Sequence, residues 1–123
     1  MIKEDQLFHK GIDAFNARRF YDAHEYWEEL WLNYKLKDAK FIQGLIQLAV
    51  SYFHLFNNNL NGARSMNRKC QGKFEDIKEM ARGMDINKLK DQVKQVQTHI
   101  DNISNKSECK DRYILILKVI HED

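Results

Sequence analysis

Asp38-Ala-Lys-Phe-Ile-Gln-Gly-Leu-Ile-Gln-Leu-Ala-Val-Ser-Tyr-Phe-His-Leu-Phe-Asn57 wraps nearly the whole circumference of a helical wheel in apolar side chains. Phe41, Leu45, Ile46, Leu48, Ala49, Val50, Tyr52, Phe53, Leu55 and Phe56 leave no wide polar face. A helix that is apolar all round is packed on several sides, so this segment predicts the central helix of a bundle. Its polar positions align: Gln43, Gln47 and His54 fall within roughly 40° of one another at 100° per residue. Gly44, beside that strip, lets a neighbouring helix approach closely, although glycine inside a helix costs about 1 kcal/mol.

Working outward, the chain predicts helices on both sides. Leu7, Phe8, Gly11, Ile12, Ala14 and Phe15 recur at helical spacing over about residues 4–17, and Asn16 to Arg19 reads as a turn. A second helix follows from about Phe20 to Tyr34, with Phe20, His24, Trp27, Glu28 and Trp31 read on one mixed face. Beyond the centre, Asn57 to Asn59 predicts a break, with Asn59 capping the next helix. That helix is expected to run to about Arg82 on a stripe of Ala63, Met66, Cys70, Phe74, Ile77 and Ala81. Gly83 reads as its C-terminal cap and Asp85 as the N-cap of a fifth helix. The fifth helix carries a narrow seam of Ile86, Leu89, Val93, Val96, Ile100 and Ile103. Too few heptads are present for a zipper, so it is expected to lie across its own bundle. After a loop at Asn105 to Glu108, the apolar run Tyr113 to Ile120 reads equally as a short helix or an extended tail. An extended tail would lie over the bundle or pair with a second copy. Phe15 to Ala23 and Leu55 to Ala63 also form a faint repeat, as two stacked helical hairpins of a tetratricopeptide-like kind would give.

Composition agrees. The chain has 123 residues, 43% of them apolar and 31% charged, with no proline. These values predict a single all-α domain over 1–123, an orthogonal or tetratricopeptide-like bundle of about five helices with a C-terminal tail. Net charge is +2. Arg64, Arg68, Lys69 and Lys73 form the most basic stretch but point in two directions without an interleaved aromatic platform, which disfavours nucleic acid as a partner. The first residues lack the apolar core of a signal peptide, and Leu45 to Phe56 is too short and too interrupted to span a bilayer. A cytoplasmic protein without membrane contact is therefore expected, its two cysteines held as thiols and Cys70 in the core.

His24-Glu-Tyr-Trp-Glu-Glu-Leu-Trp31 is the stretch that points to chemistry. His24 and Glu28 stand one helical turn apart, with Cβ atoms roughly 5 to 6 Å from each other, where they can grip one divalent cation or hydrogen-bond each other. His54 from the central helix would complete a set of two histidines and one carboxylate, suited to Zn, Fe, Mn or Ni. Gln43 or Gln47 would orient a ligand, Trp27 and Trp31 would wall the site, and Glu25 would act as a base if it reached inward. Glu25 lies about 100° from His24, which weakens that role. The zincin pattern His-Glu-x-x-His is not met, because Glu28 stands at its second histidine. The same groups read equally as a closed hydrogen-bond network between two helices, with no ion and no cofactor. No reaction follows from these residues. His9, His99 and His121 read as surface histidines.

The motif just quoted, with Phe15-Asn16, Phe20-Tyr-Asp-Ala23, Gln43-Gly-Leu-Ile-Gln-Leu-Ala49, His54 and Asn61-Gly-Ala63, resembles the small prokaryotic helical proteins of Domain of Unknown Function family 309. The resemblance covers about residues 7–80 and leaves 85–123 outside it. It implies a His-x-x-x-Glu-x-x-Trp hallmark at His24, Glu28 and Trp31, and a suspected metal site there. Two function classes stand open: a metal or small-ligand pocket at the seam, or a tetratricopeptide-like interaction module with a structural seam. The second would bind a protein partner, or a second copy as a homodimer, through the fifth helix or the apolar tail.

Overall fold

A computed structural model describes residues 2–120, and His121 lies outside them. The elements in order are α1 (Ile2–Asn16), α2 (Phe20–Asn33), α3 (Ala39–Phe56), α4 (Leu60–Phe74), β1 (Met80–Ala81), β2 (Met84–Asp85) and α5 (Ile86–Asp101). Two short 3-10 turns, Lys106–Glu108 and Asp111–Tyr113, lead into an extended segment that runs to Ile120. The fold is an all-α bundle. None of the described helices is long and apolar enough to cross a membrane.

The central segment behaves as its wheel requires. Phe41, Ile42, Leu45, Leu48, Ala49, Tyr52 and Leu55 are fully enclosed, and α3 packs against α2 on one side and α4 on the other. Gly44 permits the second contact, since a Cβ there would stand 2.5 Å from a ring carbon of Phe74. Cys70 is buried, as expected.

The faint repeat is structural. The α1–α2 turn has Arg18 at φ 62°, Arg19 donating its N–H to Ala14 O at 2.8 Å, and Ala23 donating to Arg19 O at 3.0 Å. Forty residues on, the α3–α4 turn has Asn58 at φ 57°, Asn59 donating to His54 O at 2.8 Å, and Ala63 donating to Asn59 O at 3.0 Å. Ala23 and Ala63 are both enclosed. Only the second turn carries the side-chain cap that was expected, Asn59 Oδ1 accepting from Gly62 N at 3.0 Å.

The fourth helix is shorter than its stripe suggests. It ends at Phe74, and Gly83 is not its cap but half of a two-residue hairpin turn between β1 and β2. Arg82 and Gly83 have φ 47° and 75°, the positive pair that a tight hairpin turn matched to strand twist needs. The turn is held from a distance. Arg82 donates to Asp38 at 2.6 and 3.1 Å and to Glu4 at 3.2 Å, and its guanidinium lies over the Phe8 ring.

Asp85 caps α5 as expected, accepting from Lys88 N at 3.0 Å. All six residues of the α5 seam are buried, and the helix crosses its own bundle against α4. A polar layer accompanies that packing. Gln71 Nε2 donates to Asn67 and Gln97, Gln97 donates to Asp101, and Arg64 donates to Ile100 O and Ile103 O near the end of α5. The terminal apolar run is neither helix nor strand-paired. It lies extended over the bundle, where the Tyr52 hydroxyl donates to Tyr113 O at 2.5 Å and accepts from Leu115 N at 3.1 Å. The Asn16 amide grips both backbone groups of Leu117, at 2.9 and 2.8 Å.

Candidate functional site on the outer face of α2 and α3

The buried face of α2 is Phe20, Ala23, Trp27 and Leu30, a stripe spaced three, four and three residues apart. Trp27 is therefore a core residue. Its indole N–H donates to Phe8 O at 3.1 Å, across the position where Gly11 leaves room. Glu28 and Trp31 each follow a member of that stripe by one residue, which turns them about 100° outward. The mixed inward face expected for α2 is thus corrected: Glu28 and Trp31 are exposed, Glu25 is exposed, and His24 sits at the boundary.

His24 and Glu28 do meet, with Nε2 and Oε2 3.4 Å apart. His24 Nδ1 lies 3.3 Å from Tyr21 O, so both ring nitrogens face acceptors and the single N–H of a neutral ring can serve only one of them. With the N–H on Nδ1, a cation at Nε2 would make the contact with Glu28 attractive.

His54 faces elsewhere. Its Nδ1 lies 3.3 Å from the Asn59 amide nitrogen, and its ring stands against Gly62 of α4. The physical reason lies in the wheel of α3: Tyr52, Phe53 and Phe56 meet α2 through Phe20 and Tyr21, and His54 lies about 100° beyond Phe53. From His24 to His54 the contacts run through two aromatic rings, His24 to Tyr21 at 5.3 Å, Tyr21 to Phe53 at 5.4 Å and Phe53 to His54 at 6.0 Å. Gln43 and Gln47 are half-buried on the His54 side, and Gln47 Oε1 is enclosed without a hydrogen-bond partner. Among the described residues no three His, Cys, Asp or Glu side chains are grouped to hold a metal ion. Three cavities of about 540, 430 and 230 Å³ are lined by residues of the tail, β2, α4, α5, the turns and the end of α3, and none of the three reaches His24, Glu28 or His54.

What the outer face does present is aromatic and acidic. Tyr21, Glu25, Glu28 and Leu32 follow one another at four, three and four residues along α2, with Tyr21 51% and Leu32 64% exposed. Phe53, 37% exposed, extends the cluster onto α3. The helix carries Asp22, Glu25, Glu28 and Glu29 and no lysine or arginine. Tyr21 and Phe53 were missing from the residues singled out in the sequence. The signal for Tyr21 was its place three residues before His24; Phe53 was absorbed into the apolar wheel of α3.

Residues 8–66 match the model of a protein family described as Domain of unknown function (DUF309), in agreement with the resemblance carried by the residues from Phe15 to Ala63. The match spans most of α1, all of α2 and α3, and the first half of α4; the hairpin, α5 and the tail lie beyond it. A comparison with curated proteins gives no match.

Proposed function

We propose that the matched region works as a helical interaction module whose outer α2–α3 face receives a basic amphipathic helix. The exposed Tyr21–Phe53 contact beside the carboxylates of α2, with Leu32 exposed farther along the same helix, supports this reading. Large apolar side chains in contact with one another on a surface mark binding sites more often than isolated ones do. An amphipathic helix buries its apolar stripe on such a ridge, and flanking lysines and arginines complement the carboxylates. Two helical hairpins present the ridge on rigid elements, so little ordering cost is left to binding.

The test is a titration of ¹⁵N-labelled protein with an amphipathic Leu/Lys peptide and with its Leu/Glu counterpart. The reading expects amide shifts confined to Tyr21, Glu25, Glu28, Leu32 and Phe53 with the basic peptide alone. Equal response to both peptides, or shifts centred elsewhere, would overturn it.

A second reading rests on the 3.4 Å approach of His24 Nε2 and Glu28 Oε2. A divalent Zn, Fe, Mn or Ni ion would take these two donors, with water or a partner's side chain completing its coordination. Binding to the folded state alone would stabilise it by about 2.7 kcal/mol at one hundred times Kd. His24→Ala should remove that gain. If no divalent ion raises the melting temperature of the wild type at neutral pH, this reading fails.

A further inference from the structure

The extended segment that ends the described chain is hydrogen-bonded along one edge by Tyr52 and Asn16 and on the other edge only at Ile120. In an extended chain the N–H and C=O of one residue point the same way, and the direction alternates residue by residue. Tyr113 O and Leu115 N–H pair with the Tyr52 hydroxyl, and both backbone groups of Leu117 pair with the Asn16 amide. The intervening residues face the hairpin and α5, as Ile120 shows by donating its N–H to Gly83 O at 2.6 Å. Before that point the edge is open. Ile114 N–H closes the preceding turn on Asp111 O, and Ile116 and Lys118 have no backbone partner among the described residues. Between this edge and α5 runs a cavity of about 540 Å³, floored by Met84 and Leu89 and rimmed by Lys88 and Gln92.

We propose that this groove takes a short acidic peptide in extended conformation, added as a strand beside Ile114 to Lys118. The spacing of the open groups selects the occupant: N–H and C=O groups recurring at every second residue are matched by another extended backbone and not by a helix. The charges select its composition. Lys88, Arg112 and Lys118 line the groove with Asp85 and Asp111; Asp85 caps α5 and Asp111 lies 3.6 Å from Arg18, whereas Lys88 and Lys118 have no carboxylate partner among the described residues. Carboxylates of the guest would meet these two cations. Its apolar side chains would cover Ile116 and Ile120, 52% and 59% exposed. The site is separate from the α2–α3 face and does not depend on it.

The probe is the blocked peptide acetyl-Val-Glu-Val-Glu-Val-amide, with two versions N-methylated at alternate sets of residues and one with lysine replacing glutamate. Added to ¹⁵N-labelled protein, the parent peptide should shift the Ile116 and Lys118 amides and slow their hydrogen exchange. One N-methylated version should bind at least tenfold more weakly and the other like the parent, because only one edge of the guest pairs. Lys118→Glu, a change at an exposed position, should weaken the glutamate peptide and favour the lysine peptide. Equal affinity of both N-methylated versions, or shifts away from the groove, would overturn the proposal. So would concentration-dependent protection of the same amides without peptide, which would assign the edge to a second copy of the chain.

Discussion

Gly11 and Trp27 illustrate how one residue's absence of a side chain positions another. A Cβ at Gly11 would fall 2.0 Å from Trp27 Nε1, and the indole could escape only by giving up its bond to Phe8 O. Gly11→Ala should therefore cost about 2 to 4 kcal/mol, from overpacking and a lost buried hydrogen bond. Gly72 is also helical, yet a Cβ there would meet nothing within 4 Å. Gly72→Ala should instead stabilise by about 0.5 to 1 kcal/mol through the unfolded chain's entropy. Urea denaturation of the two variants checks the pair, and effects of the same sign would contradict the packing described. Both glycines were visible in the sequence, but their opposite roles depend on what faces them from other helices.

Tyr52 adds a titratable case at the same scale. Burial pushes its phenol above the ordinary value of 10.0, while the hydrogen bond from Leu115 pulls less strongly the other way. The folded state thus holds the neutral phenol. Its contribution is complete below the unfolded pKa of about 10 and is lost as pH rises beyond that value. Buried Cys70 is pushed up in the same direction. Tyr52→Phe should cost about 1 to 3 kcal/mol near neutral pH, because Tyr113 O and Leu115 N lose their partner. It should also flatten the alkaline fall in stability. Denaturation curves at about pH 8 and about pH 11 test both effects, and an alkaline limb unchanged by the substitution would contradict this role.

Among the elements, α5 was fully legible and the end of α4 was not. The alternating three- and four-residue spacing from Ile86 to Ile103 marks a single face wherever the helix packs. Ile77 and Ala81 continue the spacing of α4 equally well, but the chain turns at Glu79 and Arg82, both at positive φ, under ion pairs reaching back to Asp38 and Glu4. Such long-range contacts leave no local periodicity to read. His99 is a similar case. Read as a surface histidine, it stacks on Tyr113 at 4.1 Å and accepts from Lys110 N at 3.1 Å, joining the start of the tail to α5. Burial and then the cations of Lys110 and Arg112 hold its pKa below 6.5, against a backbone hydrogen bond at Glu108 that favours the charged ring. A lowered histidine pKa gives a contribution that is complete above the unfolded value of about 6.5 and is lost as pH falls below it. Protonation also removes the lone pair that receives Lys110 N–H. Exchange protection of the Lys110 amide, corrected for intrinsic rates, should therefore drop on acidification below about pH 6.5. Protection that stays constant would show that the ring does not clamp the tail.

At the scale of the whole molecule, two helical hairpins forty residues apart share one turn geometry, and α5 and the tail close over them. The repeat was faint in the sequence because different side chains build equivalent turns: Arg18 and Asn58 take the same positive φ. The pairing of His24 with Glu28 was legible from spacing alone. The expected convergence of His54 with them was not secure, because a wheel gives the direction of each side chain but not the neighbour it will meet. Phe53 faces α2 and His54 faces α4, and this places an aromatic, acidic ridge on the outer α2–α3 face. The most direct test of that ridge as a docking surface is the affinity of the basic Leu/Lys peptide for wild type and for Tyr21→Asp, read beside their melting temperatures. Tyr21 is half exposed, so the account predicts at least tenfold weaker binding with a melting temperature changed by no more than about 2 °C. Undiminished affinity in a folded Tyr21→Asp protein would contradict it.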